Sequence, residues 1–202
     1  MNRILVGFIL TTAILVIGLQ AQAGPAPIGT VSVSKNQWSC PTTPPDDYPA
    51  GMTCQHAIVY CPNGPNGIAV QPLGVTFGYM TPPSPLGTIV FLSGEGGTTP
   101  NGGTPPFPAG TYSFTQYAED YYNDGYQVIL TAWDSAWEDV TNGGSGKKSV
   151  GYAACRPATF LNWVYGYFYV PIQSAYQPAG MCAQTASAGA GAGVVWWYCL
   201  HG

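Results

Sequence analysis

Charge is what this chain lacks most. Asp, Glu, Lys and Arg make up only 7% of the 202 residues, and the formal net charge is −4. With Arg3 set aside as part of a leader, four basic side chains stand against nine acidic ones. That balance leaves no electrostatic footprint for nucleic acid or for anionic lipid. Histidine is nearly absent: His56 and His201 are the only two, and no C-x-x-C pair occurs. Without those ligands no zinc set can be assembled, and neither a metal nor a cofactor is expected. The late apolar window, residues 186–200, is 15 residues long, short of the roughly 20 that a membrane span needs. Disorder is excluded from the other side, because 46% of residues are hydrophobic and 13% aromatic. With 27 Gly and 19 Pro, solubility falls to hydroxyls, amides and exposed backbone.

The amino-terminal residues carry Arg3, an apolar run from Ile4 to Leu19, and Ala21-Gln22-Ala23 before Gly24. Charge, apolar core and small residues in that order are the pattern of a secretory signal peptide, with cleavage expected after Ala23. The mature chain of 179 residues is long enough for one domain with a sizeable core. A secreted or periplasmic location follows, with no membrane contact after cleavage. The six cysteines, Cys40, Cys54, Cys61, Cys155, Cys182 and Cys199, are then expected as disulfides. Six cysteines allow fifteen pairings. One is excluded: if Cys54 to Cys61 is a strand, its ends lie roughly 23 Å apart, beyond the approximately 7 Å limit for a bridge.

After a Pro-rich and polar leading segment, 24–52, two short runs, Gln55–Tyr60 and Leu73–Met80, flank the turn signals of residues 61–67. They are expected as strands of an outer hairpin, with Val75, Phe77 and Tyr79 on one face at period two. Thr88–Leu92 is continuously apolar and β-branched, as a parallel strand covered on both faces would be. Phe114, Tyr117, Ala118, Tyr121 and Tyr122 then share one helical face, and Asn123-Asp124-Gly125 supplies a glycine cap. Tyr126–Trp133 is another apolar strand. Pro157 suits a helix start; Phe160, Trp163, Val164, Tyr167 and Phe168 form its buried stripe, and Pro171 should stop it. Met181–Gln184 is the last strand. Helices are expected near 113–123, 157–169 and 188–200. Strand, helix, strand, helix, strand is the order that builds parallel sheet through right-handed crossovers.

That last strand runs into Thr185-Ala186-Ser187-Ala188-Gly189. A serine on a sharp strand-to-helix turn needs small neighbours two residues before and after it, because strand and helix nearly touch there; Thr185 and Gly189 hold those places. Ser187 would be an exposed nucleophile. An oxyanion formed on its attack needs backbone donors. The amide of Ala188, at the positive end of the following helix, is one. The glycine-rich loop after Thr88–Leu92, Ser93-Gly94-Glu95-Gly96-Gly97, offers Gly94 and Glu95 as others, since glycine lets the backbone face a substrate.

The two pieces VFLSGEGGT and CAQTASAGAG together resemble the post-strand oxyanion loop and the nucleophile elbow of the α/β-hydrolase superfamily, in its amino-terminal half through the elbow. The resemblance implies an α/β fold, a mostly parallel sheet flanked by helices, here ending after the nucleophile helix, with residues 53–202 as a partial domain. It implies hydrolysis of an ester or related acyl bond through an acyl-enzyme, with Ser187 as nucleophile and Ala188, Glu95 and Gly94 as backbone donors. Thr185 stands where the family more often has glycine. In that family the acid and histidine follow the serine, yet no Asp or Glu follows Ser187, and His201 would lie about 21 Å along the same helix. The chain is therefore expected to be an incomplete, inactive piece of a longer esterase-like enzyme acting on a small or polymeric uncharged ester.

A rival reading is a non-enzymatic secreted module that binds saccharide or cell-wall polymer through its many Tyr and Trp side chains, or a structural surface protein. His56 is expected on a strand face with no catalytic task. Asp134 and Glu138 are expected as loop carboxylates, Arg156 as the partner of a nearby acid, and Trp196, Trp197 and Tyr198 as core.

Overall fold

A computed structural model describes residues 29–43, 47–62, 70–93, 97–100, 114–137, 154–176 and 180–185. The expected signal peptide, Glu138, the helix expected near 188–200 and Trp196–Tyr198 lie outside these residues. The strands are β1 (Thr30–Ser39), β2 (Thr53–Tyr60), β3 (Leu73–Met80), β4 (Thr88–Leu92), β5 (Gln127–Trp133) and β6 (Met181–Thr185); the helices are α1 (Phe114–Asn123) and α2 (155–176). They form one six-stranded sheet in the order β1-β2-β3-β5-β4-β6.

The mostly parallel α/β-hydrolase-like sheet expected above is not what forms. Three of the five pairings, β1/β2, β2/β3 and β3/β5, are antiparallel, and only β5/β4 and β4/β6 are parallel. The physical reason lies in the connections. Parallel neighbours require a crossover of a dozen or more residues, usually a helix, and apolar helical stripes occur only between β4 and β5 and between β5 and β6. The earlier connections carry Pro, Gly and Asn turn signals instead. The β2/β3 hairpin is also not at the edge, because β1 pairs along β2 from Thr30↔Tyr60 to Ser39↔Thr53.

Alternation along the strands sorts side chains to two faces. On one face Ile89, Phe91, Val128 and Leu130 pack with Ala118 and Tyr121 of α1 and with Tyr48 and Met52. On the other, Val90, Leu92, Ile129, Val75 and Phe77 pack with Phe160, Leu161, Val164 and Phe168 of α2. Central strands β4 and β5 are buried at every position, as a strand covered on both sides must be. The cap at Gly125 forms as expected, with φ at 93° and its N–H donating to the Tyr122 carbonyl at 3.0 Å. The buried stripe of α1 is shifted from the one expected: Tyr117 is exposed, and Thr115 is buried in its place, donating to the Asp47 carbonyl.

Helix α2 does not stop at Pro171. It runs as an α-helix over Cys155–Val164, passes through a π-helical turn at Tyr165–Tyr169, and continues to Tyr176. Proline in a helix clashes with the carbonyl four residues back and lacks an N–H. The π turn widens the ladder just before that point, with the Val170 N–H donating to the Tyr165 carbonyl. The extra residue also rotates the buried face. Phe168 and Tyr169 turn inward, while Tyr167, expected in the core, is 56% exposed and stacks on Trp163 at 5.0 Å. Burial, reinforced by neighbouring Tyr167, raises the pKa of the Tyr79 phenol beside this cluster.

Two disulfides fasten the antiparallel half, Cys40–Cys54 and Cys61–Cys155, so Cys54 and Cys61 are not joined to each other. Cys182 is disulfide-bonded as well. Such bridges fit an oxidising, extracytoplasmic setting. Among the described residues no helix is long and apolar enough to cross a membrane.

Candidate functional site

The four residues singled out for chemistry, Gly94, Glu95, Ser187 and Ala188, lie outside the described residues. The strands that deliver them are described. Leu92, the last residue of β4, pairs in register with Thr185, the last of β6. The chain therefore enters the 185–189 motif and the 93–97 loop from adjacent strand ends, about 4.8 Å apart. Helix α1 carries the chain from β4 to β5 on one side, and α2 carries it from β5 back past β4 to β6 on the other. Ligands of sheets with parallel crossovers bind outside strand carboxyl ends where the winding reverses in this way.

The glycine loop is anchored at both ends. The N–H of buried Ser93 donates to the Thr131 hydroxyl oxygen at 3.2 Å, and its own hydroxyl donates to the Gly97 carbonyl at 2.8 Å. The Trp133 N–H donates to that same carbonyl. Gly97 itself sits at φ 47°, in the left-handed region that glycine occupies without a Cβ penalty.

One constellation escaped the sequence reading. His56, on β2, and Asp134, just past β5, meet at 3.1 Å between Nε2 and Oδ2. A carboxylate only accepts, so Nε2 carries the hydrogen. They are 78 residues apart in sequence and are brought together across β3, where Gly74, two residues from Thr76, the partner of His56, lies against both side chains. A Cβ at Gly74 would stand 1.9 Å from Asp134 Oδ2 and 2.7 Å from His56 Nε2. The Asp134 N–H also donates to the Gly74 carbonyl at 2.9 Å. Thus the missing side chain of Gly74 makes room for the pair. Gly74→Ala is expected to push the flexible Asp134 side chain aside and break the pair, at a stability cost of about 1–3 kcal/mol. Loss of the His56 ring-proton resonance shift towards Asp134, together with a urea melt, would check both parts.

The β2 backbone of His56 lies four strand spacings from β6, about 19 Å, and the end of β5 that leads to Asp134 lies two, about 10 Å. Arg156 reaches two backbone carbonyls. Its buried guanidinium donates through Nη1 to the Trp137 carbonyl at 2.7 Å and through Nη2 to the Gln71 carbonyl at 2.8 Å.

Beside Asp134 a cleft of about 310 Å³ opens on the α1 face of the sheet. Trp38, Pro41 and Tyr48 line one part of it, and Thr76, Thr98, Ala132, Trp133 and Asp134 the rest. Among the described residues no group of three His, Cys, Asp or Glu side chains comes together to hold a metal. No protein-family model matches the chain, no curated protein matches it in sequence, and no solved structure matches it in fold.

Proposed function

We propose that the protein is an exported serine hydrolase acting on an ester or related acyl bond, with Ser187 as nucleophile and the amides of Ala188, Glu95 and Gly94 as oxyanion donors. What supports this is the Leu92↔Thr185 register, which starts the serine motif and the glycine loop from neighbouring strand ends. Small residues around Ser187 suit a tight turn, and an uncharged, aromatic chain suits an uncharged ester. Attack by the Ser187 hydroxyl would form a tetrahedral oxyanion held by those amides; collapse releases the alcohol and leaves an acyl-serine for water to cleave. Neither histidine is assigned as base: His56 is four strands from β6, and His201 would lie about 21 Å along a helix. Oxyanion donors and substrate binding alone still give about 10³–10⁴-fold over water when triad members are missing.

The test is covalent trapping. A fluorophosphonate incubated with the purified protein should add one phosphonyl group to the peptide containing Ser187, slowly, and Ser187→Ala should abolish the adduct. No adduct at Ser187, or an equal adduct in the Ser187→Ala protein, would end the reading.

A further inference from the structure

We propose that the cleft beside the His56–Asp134 pair binds the ring of a neutral saccharide. Its volume of about 310 Å³ sits at the small end of the range of small-ligand sites. Trp38 lines it while remaining 41% exposed, so its indole already offers an open apolar face on the β1 edge. A sugar ring presents one face of C–H groups that stacks on such a surface, and a rim of hydroxyls. Thr76, Thr98 and Asp134 line the same cleft and supply polar groups for that rim.

The carboxylate is positioned before any ligand arrives. His56 holds Oδ2 at 3.1 Å, the backbone N–H of Asp134 is bonded to Gly74, and Gly74 leaves the volume the pair occupies. A carboxylate held this way accepts strong hydrogen bonds from hydroxyls without first losing freedom. The aromatic wall is held too: Trp38 pairs in register with Cys54, whose disulfide to Cys40 closes the end of β1.

The other ligand classes fit less well. Among the described residues no Lys or Arg lines the cleft, and Asp134 there would oppose a phosphate or carboxylate ligand. An organic cation would find an aromatic ring and a carboxylate, but one carboxylate oxygen is already committed to His56, and the two threonine hydroxyls have better partners in a polyol.

Strand β5, which leads to Asp134, is two strand spacings from β6, about 10 Å. Calorimetric titration of the full chain with cellobiose, maltose and lactose should give saturable binding to at least one. Glucosamine and glucuronate serve as charged comparators and should bind more weakly. Trp38→Ala and Asp134→Asn should each weaken the affinity more than about tenfold, Trp38→Phe should keep most of it, and Ser187→Ala should leave it unchanged. His56→Ala should weaken it severalfold, acting through Asp134, with His56→Gln restoring part. Urea melts of each variant separate lost binding from lost folding; if Trp38→Ala is unfolded, Asp134→Asn carries the test. No saturation with any neutral sugar, tighter binding of glucosamine, or unchanged affinity in folded Asp134→Asn would each overturn the proposal, whatever the outcome of the Ser187 labelling.

Discussion

Replacing Cys61 and Cys155 together by serine should lower the unfolding free energy by about 5 kcal/mol, close to the whole stability of a marginal domain. The bridge joins residues 94 positions apart, and in chain-entropy terms the cost of closing a loop grows with its length. Removing Cys40–Cys54, which spans only 14 positions, should cost about 3 kcal/mol by the same reasoning. The larger loss also has a structural site. Cys155 is the first residue of α2 and Cys61 follows β2, so the bridge clamps the helix that covers one whole face of the sheet. Near it, the Gly29 N–H donates to Thr159 Oγ1 at 2.9 Å and ties the start of β1 to α2. Urea melts at constant m-value read the difference. Equal midpoint shifts for the two double-serine variants would show that loop length does not govern, and that α2 is held by its apolar face alone.

Strands β2 to β6 were legible because each is a short β-branched or aromatic run between turn residues, and in β4 and β5 burial on both faces removes the polar alternation that could confuse a reading. Strand β1 was not. It is an edge strand, exposed over its last five residues, and its register shifts between Val33 and Gln37, where Lys35, Asn36 and Gln37 interrupt any period of two. The mixed character of the sheet was hidden for a related reason: strand order and direction depend on long-range pairing, which local patterns do not carry. The π turn in α2 was equally hidden, since Tyr165–Tyr169 reads as ordinary helix until Pro171 has to be accommodated.

The candidate sites divide in the same way. Ser187 and the glycine loop are local motifs, readable from neighbours in sequence. His56 lies on β2 and Asp134 just past β5, strands joined through β3, and neither residue carries a motif. Their signal was Gly74, a glycine inside an otherwise good strand pattern, which commonly marks a close approach of other groups. Here the approaching groups are the two side chains themselves.

Arg156→Ala should cost about 3–4 kcal/mol, second only to the long-range disulfide, because one buried and one part-buried carbonyl lose their donor at once. The guanidinium is 2% exposed and bridges Gln71, just before β3, to Trp137, just after β5. No nearby acid is needed for that role; the planar fork satisfies two backbone acceptors in a single geometry. Arg156→Lys keeps the charge but reaches only one carbonyl well, and should still lose about 2 kcal/mol. Thermal unfolding should show a drop of about 10 °C for alanine. Because Arg156 adjoins Cys155, its loss and that of the Cys61–Cys155 bridge both loosen the start of α2, and the combined variant should lose less than the sum of the two. The same tie orients the residues leading away from Asp134, so Arg156→Ala should weaken saccharide binding severalfold even where the protein remains folded. If Arg156→Ala melts within a degree or two of the wild type, the two carbonyls are satisfied by other donors, and the guanidinium does not hold this end of the sheet.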